Sequence, residues 1–394
     1  MEFFDTSQLP ANLAKRSFTA GILRLRPNGN APLFALSGLA KTKKCLDTVH
    51  AYWTKTSVFP DVTVGAQLSA AATTFVVVST ATIMVGSVLR FKSSGDTTSP
   101  ENVLVTSITN ATTFVVIRGH GGTTAQIIPA ASILPEIGTS FEQGSSAPSP
   151  RAILPIRHIN QTQIFRDGWG NSRTLKAVQL EVGDGTTSEN KRDAKFFHAG
   201  SIEKSTFFAV ADLGTVPTLN GRPITTMDGI ESIISKYAPA NVIAAGSTTT
   251  FNQLESYLDP LLDTTSDASM SNTRTIYVGK GALKVINDIG KLSGEYQVDR
   301  TETSFGQRFH SFSTTRGDFQ VIEHPIFNTN AEWIKMAVVM ELSAFDFMYL
   351  RPTEHRDIDQ AGRDSEGGVI TTELTVELRN PFACGIIYNL TAAA

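Results

Sequence analysis

The chain has 394 residues, 41% of them hydrophobic and 18% charged, with a formal net charge of −3. That length supports two or three domains with real cores, and that composition excludes a disordered or fibrous chain. The charge balance gives no reason to expect a dedicated nucleic-acid or membrane binder, and two cysteines, Cys45 and Cys384, make neither a disulfide framework nor a zinc site.

The opening MEFFDTSQLP lacks the basic and apolar regions of a signal peptide. No apolar run approaches the ~18 residues of a membrane-spanning helix. Residues 1–55 carry eight Lys/Arg against three acids, a local +5. Within them FTAGILRLRPNGNAPLFALSGLAK is apolar but broken by Gly21, Pro27, Gly29 and Pro32. Such a segment cannot bury itself; residues 1–50 read as an arm lying on a neighbour, with Arg16, Arg24 and Arg26 as contact candidates.

Ala51–Pro60 reads as a strand leading outward, and residues 60–140 as a β module. TTFVVVST at 73–80 recurs as TTFVVIRG at 112–119, both rich in the β-branched and aromatic residues that strands favour. Ser140–Pro150 is a linker by composition. Ile153–Phe165 runs back as a strand that Asp167-Gly168 should end, so the outward and return strands can pair with the module at their tip.

Asp184–Leu213 is the strongest helix signal, with Thr186 and Glu189 spaced as a capping box. Residues 225–330 then alternate helix and strand patterns. Asp228–Ala238 is helical, Thr248 is a candidate cap for a helix carrying Phe251, Leu254 and Leu258, and Arg308–Ser313 with Asp318–His324 reads as a hairpin. Trp333–Leu350 is a long strand-like run, 351–368 a charged loop, and Val369–Leu378 a closing strand. The whole is an α+β chain.

The candidate chemistries are thin. RGHGGTTA (118–125) departs from a dinucleotide fingerprint at Thr124, and VGKGALK (278–284) lacks the full phosphate-loop spacing. Asp357, Asp359 and Gly362 match three positions of a calcium loop, but Gly368 falls where a chelating acid is required. His324 and His355 stand alone, without H-x-x-x-H spacing. There is no G-x-S-x-G elbow. The residues point to no catalytic site, no cofactor and no metal, and a protein that is not an enzyme is expected.

The order of segments is more specific. An arm, AYWTKTSVFP, a β insertion with its VIRGHGGTT hairpin, the EQG linker, NQTQIF, a long helix with an internal Glu203, TMDGIESII and a closing LTVELRNPFACGIIYNL follow one another. That set resembles the major capsid proteins of tailed bacteriophages with the Hong Kong 97-like fold, in the group with a β-rich insertion. The resemblance implies an N-terminal arm (1–50), an extended loop (51–180) carrying the insertion, a spine helix (181–222), an axial domain (223–332) and peripheral strands (333–394). It also implies self-assembly into pentamers and hexamers of a DNA-filled shell, located in the virion and built in the host cytoplasm. A separate scaffolding protein, a portal, a decoration protein and weakly held double-stranded DNA are the implied partners, with no membrane. Phe165, Trp169, Arg351, Arg356, Asp357, Asp359 and Arg363 join the three arm arginines as expected subunit contacts. The alternative is a decoration or receptor-binding protein using the β module.

Overall fold

The computed structural model describes residues 36 and 39–391, except 57–58, 94–98, 149, 152, 179–185, 213–220, 223, 247, 267–271, 294–298, 305–306, 315 and 360–362. Arg16, Arg24 and Arg26 lie outside the described residues. Two compact units are present: the residues up to Tyr52 together with His158–Ala394, and Trp53–Arg157.

Strands β1 (Lys41–Lys44) and β2 (Val49–Thr54) come first. Next are β3 (Asp61–Thr63), β4 (Thr74–Val76), β5 (Ser87–Phe91), β6 (Glu101–Asn110), β7 (Thr113–Ile117) and β8 (Ile133–Thr139). Strands β9 (Ile156–Gln161) and β10 (Gln163–Ser172) lead to helices α1 (Arg173–Ala177), α2 (Thr186–Phe208) and α3 (Ile230–Tyr237). Then follow β11 (Val242–Ala244), α4 (Phe251–Leu258), β12 (Thr273–Val278), α5 (Lys280–Ser293), β13 (Asp299–Ser304), β14 (Gln307–Ser313) and β15 (Asp318–Glu323). Strands β16 (Ala337–Met340), β17 (Phe345–Asp359), β18 (Ser365–Leu378) and β19 (Gly385–Tyr388) close the chain.

In the Trp53–Arg157 unit the sheet order is β3-β8-β5-β6-β7-β4. A bridge between Val64 and Val77 joins the two edges, with Val78 N–H donating to Thr63 O and Gly65 N–H to Val76 O, both at 2.9 Å. Closing a sheet on itself removes the unpaired backbone of open edges. The two TTFVV segments are neighbours: β4 and β7 pair antiparallel with Phe75 opposite Phe114, rings 5.5 Å apart, inside the unit's core. Across that core Arg118 grips the fully buried Glu101 through Nε (2.6 Å) and Nη2 (2.7 Å).

In the other unit a four-stranded sheet runs β1-β17-β18-β10 and a seven-stranded sheet runs β11-β19-β16-β12-β15-β14-β13. Strands β12, β15, β16 and β19 of the longer sheet are buried on both faces. Tyr277, Ile322, Val338 and Ile386 enter the core shared with α2, α3 and the four-stranded sheet, whereas Ile276, Val278, Val321, Val339 and Ile387 enter the core under α4 and α5. The period-two split explains why these strands read as unbroken apolar runs. Strands β2 and β9 pair with each other.

Several expectations are corrected. Trp333–Leu350 is not one strand: 3-10 turns at Trp333–Lys335 and Leu342–Ala344 flank β16, and β16 and β17 lie in different sheets. The crossover is pinned by Glu341, 1% exposed, which accepts from Ser266 Oγ (2.5 Å), Ser343 Oγ (3.1 Å) and Asn380 Nδ2 (2.8 Å). Consequently β16 and β19 join the strands of 223–332, and 333–394 does not form a unit apart from them. Helix α2 opens at Thr186, so Thr186 sits in its first turn instead of capping it, and it ends at Phe208. The cap of α4 is Thr250, in a reciprocal capping box with Gln253, instead of Thr248.

Asp167-Gly168 does not end a strand. Strand β10 runs on to Ser172, pairing Gly168 with Val369 and Gly170 with Gly367. Nor is 351–368 mostly loop, since β17 and β18 reach from Phe345↔Leu378 out to Asp359↔Glu366. Charge masked the strand pattern because Arg351–Ile358 of β17 are exposed on both faces.

Candidate assembly surface

The β17–β18 hairpin has two chemically different halves. At its base Phe345, Phe347, Leu374, Val376 and Leu378 are at most 1% exposed, in the core beneath α2. Beyond Leu350 every residue from Arg351 to Ile358 is exposed. Pro352 is tolerated there because β1 covers only Asp346–Tyr349, leaving β17 an edge strand with no ladder bond for proline to lose. Register shifts flank this proline, between Tyr349 and Arg351 and between Arg351 and Glu354. Strand β10 backs the outer half from the other side, along β18.

The expected contact residues fall in three groups. Phe165 is corrected: it is 6% exposed, opposite Thr372, and its ring belongs to the chain's own core. Arg351 donates to Glu373 at 2.6 Å, Arg356 to Glu354 at 3.2 Å, and Asp357 lies 3.7 Å from Lys191 of α2. Asp359 stands opposite Glu366 in the ladder, and Arg363 is exposed at the turn. The Arg351, Arg356 and Asp357 side chains lie along one strand; Arg356 and Asp357 keep 79% and 73% of their side-chain surface in solvent.

Trp169 forms a clasp that sequence reasoning did not resolve. Its ring stacks on His355 (centroids 5.8 Å, planes 13° apart), its Nε1–H donates to His355 Nε2 at 2.8 Å, and Lys191 Nζ lies 4.2 Å from its centroid. The ring occupies the space over Gly368, where an added Cβ would come within 2.6 Å of Nε1. The Gly367-Gly368 pair inside a β-branched run was the signal for this close approach. Gly368→Ala is expected to displace the indole and cost about 1–3 kcal/mol. Thermal melts and tryptophan emission of the variant check this; an unchanged emission spectrum contradicts it.

Further polar ties hold the hairpin to α1 and α2. Lys176 Nζ donates to Glu366 at 2.7 Å and Thr187 Oγ1 to the same carboxylate at 3.2 Å, and the lysine holds Glu366 below the usual carboxylate range. His198 bridges Asp167 (2.8 Å) and Thr372 Oγ1 (2.8 Å). The sequence marks Glu203 as an internal acid of the long helix but not its partners; it lies in the middle of α2. Fully buried, it accepts the Leu36 N–H (2.9 Å) and faces His324 Nε2 (3.0 Å), tying this part of the 1–50 segment to the chain's own helix. No local pattern marks those partners; only the tertiary fold brings residues 36, 203 and 324 together.

The glycine motifs have structural occupants. In RGHGGTTA, Glu101 takes Arg118 and the Gly119 and Gln126 amides, while Gly119, Gly121 and Gly122 adopt positive φ. In VGKGALK, a Cβ at Gly279 would meet Ile334 O at 2.5 Å, so this glycine permits close packing of backbone on backbone. Asp357 and Asp359 lie on an extended strand instead of curling round an ion. Among the described residues no group of three or more His, Cys, Asp or Glu is placed to hold a metal, and no helix is long and apolar enough to cross a membrane.

Comparison with known proteins adds the decisive match. The model of the family described as SU10 major capsid protein matches residues 4–391. A major capsid protein of Pseudomonas phage PaMx41 is 32% identical across 99% of this chain and 96% of its own length. Among solved structures, the capsid of a native GTA particle aligns over 98% of both chains at 8% identity and a TM-score of 0.46. A chain of Mycobacterium phage Bobi aligns over 96% of both at 8% identity and 0.47. The sequence matches span essentially the whole chain, and on them this chain belongs to the SU10 major capsid protein family, the shell-forming subunits of phage virions.

Proposed function

We propose that this major capsid protein tiles its shell in the Hong Kong 97-like manner, as pentamers and hexamers that close an icosahedral or prolate container for the genome of a tailed phage. The outer half of the β17–β18 hairpin makes contacts between capsomers. One observation carries this reading: an ordered hairpin continues to Asp359↔Glu366 with exposed side chains along 351–358, of both charges. Arginine offers a planar fork to a carboxylate on a neighbour, and each exposed pair contributes only about 0.2–1 kcal/mol. Repeated at every such junction, those increments decide whether a shell closes.

In this arrangement α2 is the spine of the peripheral domain and the seven-stranded sheet belongs to the axial domain. The Trp53–Arg157 unit is the insertion carried by the extended loop. The arm laid on a neighbour is the part of 1–50 before Leu36, because Leu36 packs in the chain's own core and β1 pairs with β17. The work of the chain is assembly, without catalysis. A separate scaffolding protein guides it in the host cytoplasm, a portal occupies one vertex, a decoration protein binds outside, and packaged double-stranded DNA touches the inner face by weak, sequence-independent contacts.

The test is a double reversal, Arg356→Glu with Arg363→Glu, followed by assembly at several salt concentrations. Capsomers that form but do not close are expected, with the defect greatest at low salt, where charge acts furthest. Closed shells at parental yield at every ionic strength contradict the hairpin's role.

A further inference from the structure

The Trp169–His355 clasp has a chemical requirement that makes it conditional. An indole Nε1–H is a donor only, so His355 Nε2, 2.8 Å away, must accept and carry no proton. The bond therefore exists only with a neutral imidazole. The same nitrogen lies 3.6 Å from Asp357 Oδ1. A protonated ring can only donate, and Asp357 is the acceptor within reach. The two partners are mutually exclusive for one nitrogen.

The surroundings give both states a physical basis. Lys191 of α2 sits 4.2 Å from the Trp169 centroid and 3.7 Å from Asp357, so it shields the carboxylate while the clasp is closed and opposes a second cation beside it. Lys195 and His198 of α2 line with His355, Tyr349 and Thr353 a cavity of about 430 Å³, which gives the imidazole room to turn. From β10, Asp167 faces His198, and from β18, Glu366 is occupied by Lys176. On β17 itself Glu354 and Arg356 pair with each other, and alternation along the strand sets them on the face opposite His355 and Asp357.

We propose that Trp169, His355 and Asp357 form a pH-gated latch between β10, the outer hairpin and α2. Neutral His355 closes it on the indole; protonated His355 releases the indole and turns to Asp357, displacing Lys191. Acid thus loosens the outer part of β17 from Trp169 and Lys191, while the ties of Lys176 and Thr187 to Glu366 and the buried base of β17 and β18 stay in place.

The experiment uses the full chain with Trp53→Phe and Trp333→Phe, leaving Trp169 as the reporter. Trp53 is 59% exposed and Trp333 stacks on Phe208 at 4.2 Å, so phenylalanine serves at both positions. Emission followed from pH 8.5 downward is expected to change in one sigmoidal step between about pH 5 and 8, where imidazoles change charge. His355→Gln keeps an acceptor for the indole and does not titrate, so the step disappears. Asp357→Asn moves the midpoint to lower pH and Lys191→Gln to higher pH, each by about 0.1–0.7 pH unit, the span that exposed ion pairs support. A step that persists in His355→Gln assigns the titration to another group, such as His198, and overturns the latch, as does a flat profile in the parent. If His355→Gln fails to fold by circular dichroism, the two midpoint shifts decide: opposite signs uphold the latch, and equal or absent shifts overturn it.

Discussion

Arg118→Ala is expected to destabilise the Trp53–Arg157 unit by about 3–5 kcal/mol, the usual result of leaving one member of a buried ion pair without its partner. Glu101 is fully buried, and the Arg118 side chain, itself 7% exposed, also donates to the Ser69, Ala72 and Gln126 carbonyls. The arginine therefore neutralises the carboxylate and holds two backbone segments, the Ser69–Ala72 turn and Gln126, around it. Burial alone would raise the Glu101 pKa; hydrogen bonds from Arg118 and the Gln126 and Gly119 amides outweigh it and leave the group below its ordinary value. The sign of the pH effect follows. A depressed folded-state pKa contributes stability that is present above the unfolded value, about 4.3, and lost as pH falls through the folded one. Calorimetry at pH 7 should show the unit's transition shifted down in the variant, and at pH 3 a smaller difference from the parent. Equal melting of parent and variant at pH 7 would show that the ion pair does not hold this unit.

Phe207→Ala is expected to cost about 3–5 kcal/mol in the other unit. Its ring, 1% exposed, lies 5.0 Å from Phe327, 5.1 Å from His324 and 5.8 Å from Tyr277, joining α2 to the seven-stranded sheet. Removing it opens a void beside the buried Glu203–His324 pair. The two substitutions lie in units with separate cores, so their effects should appear on different transitions and add in the double variant. A single transition that moves equally with either substitution contradicts that separation.

Much of this architecture was readable where burial imposes a pattern. TIYV at Thr275–Val278 and the GIIY of β19 are apolar without alternation because each strand meets a core on both faces. The paired TTFVV segments alternate around Phe75 and Phe114 because only one face of their strands enters the core. What was misread shares one cause: local residue types carry two meanings. Glycines 168, 170, 367 and 368 looked like turns, yet they admit an indole and close backbone contact within a ladder. Arg351–Ile358 looked like loop, since a strand exposed on both faces leaves no hydrophobic period. Glu341 and Glu203, both buried acids, depend on partners far away in sequence and could not be placed from neighbours alone.

Of the expected contact residues, those on the hairpin were named from the mixed charge of 351–366, and Trp169 was named without its partners His355 and Lys191. Phe165 was misassigned because an aromatic residue in a polar strand looks the same whether its ring faces a neighbour or its own core.

The most direct test of the central claim is electron microscopy of the purified full-length chain, expressed alone and with its phage's neighbouring structural proteins. Closed, uniform shells or discrete rings of five and six copies are the result this account predicts. Particles that remain monomeric or form fibres under both conditions would contradict it.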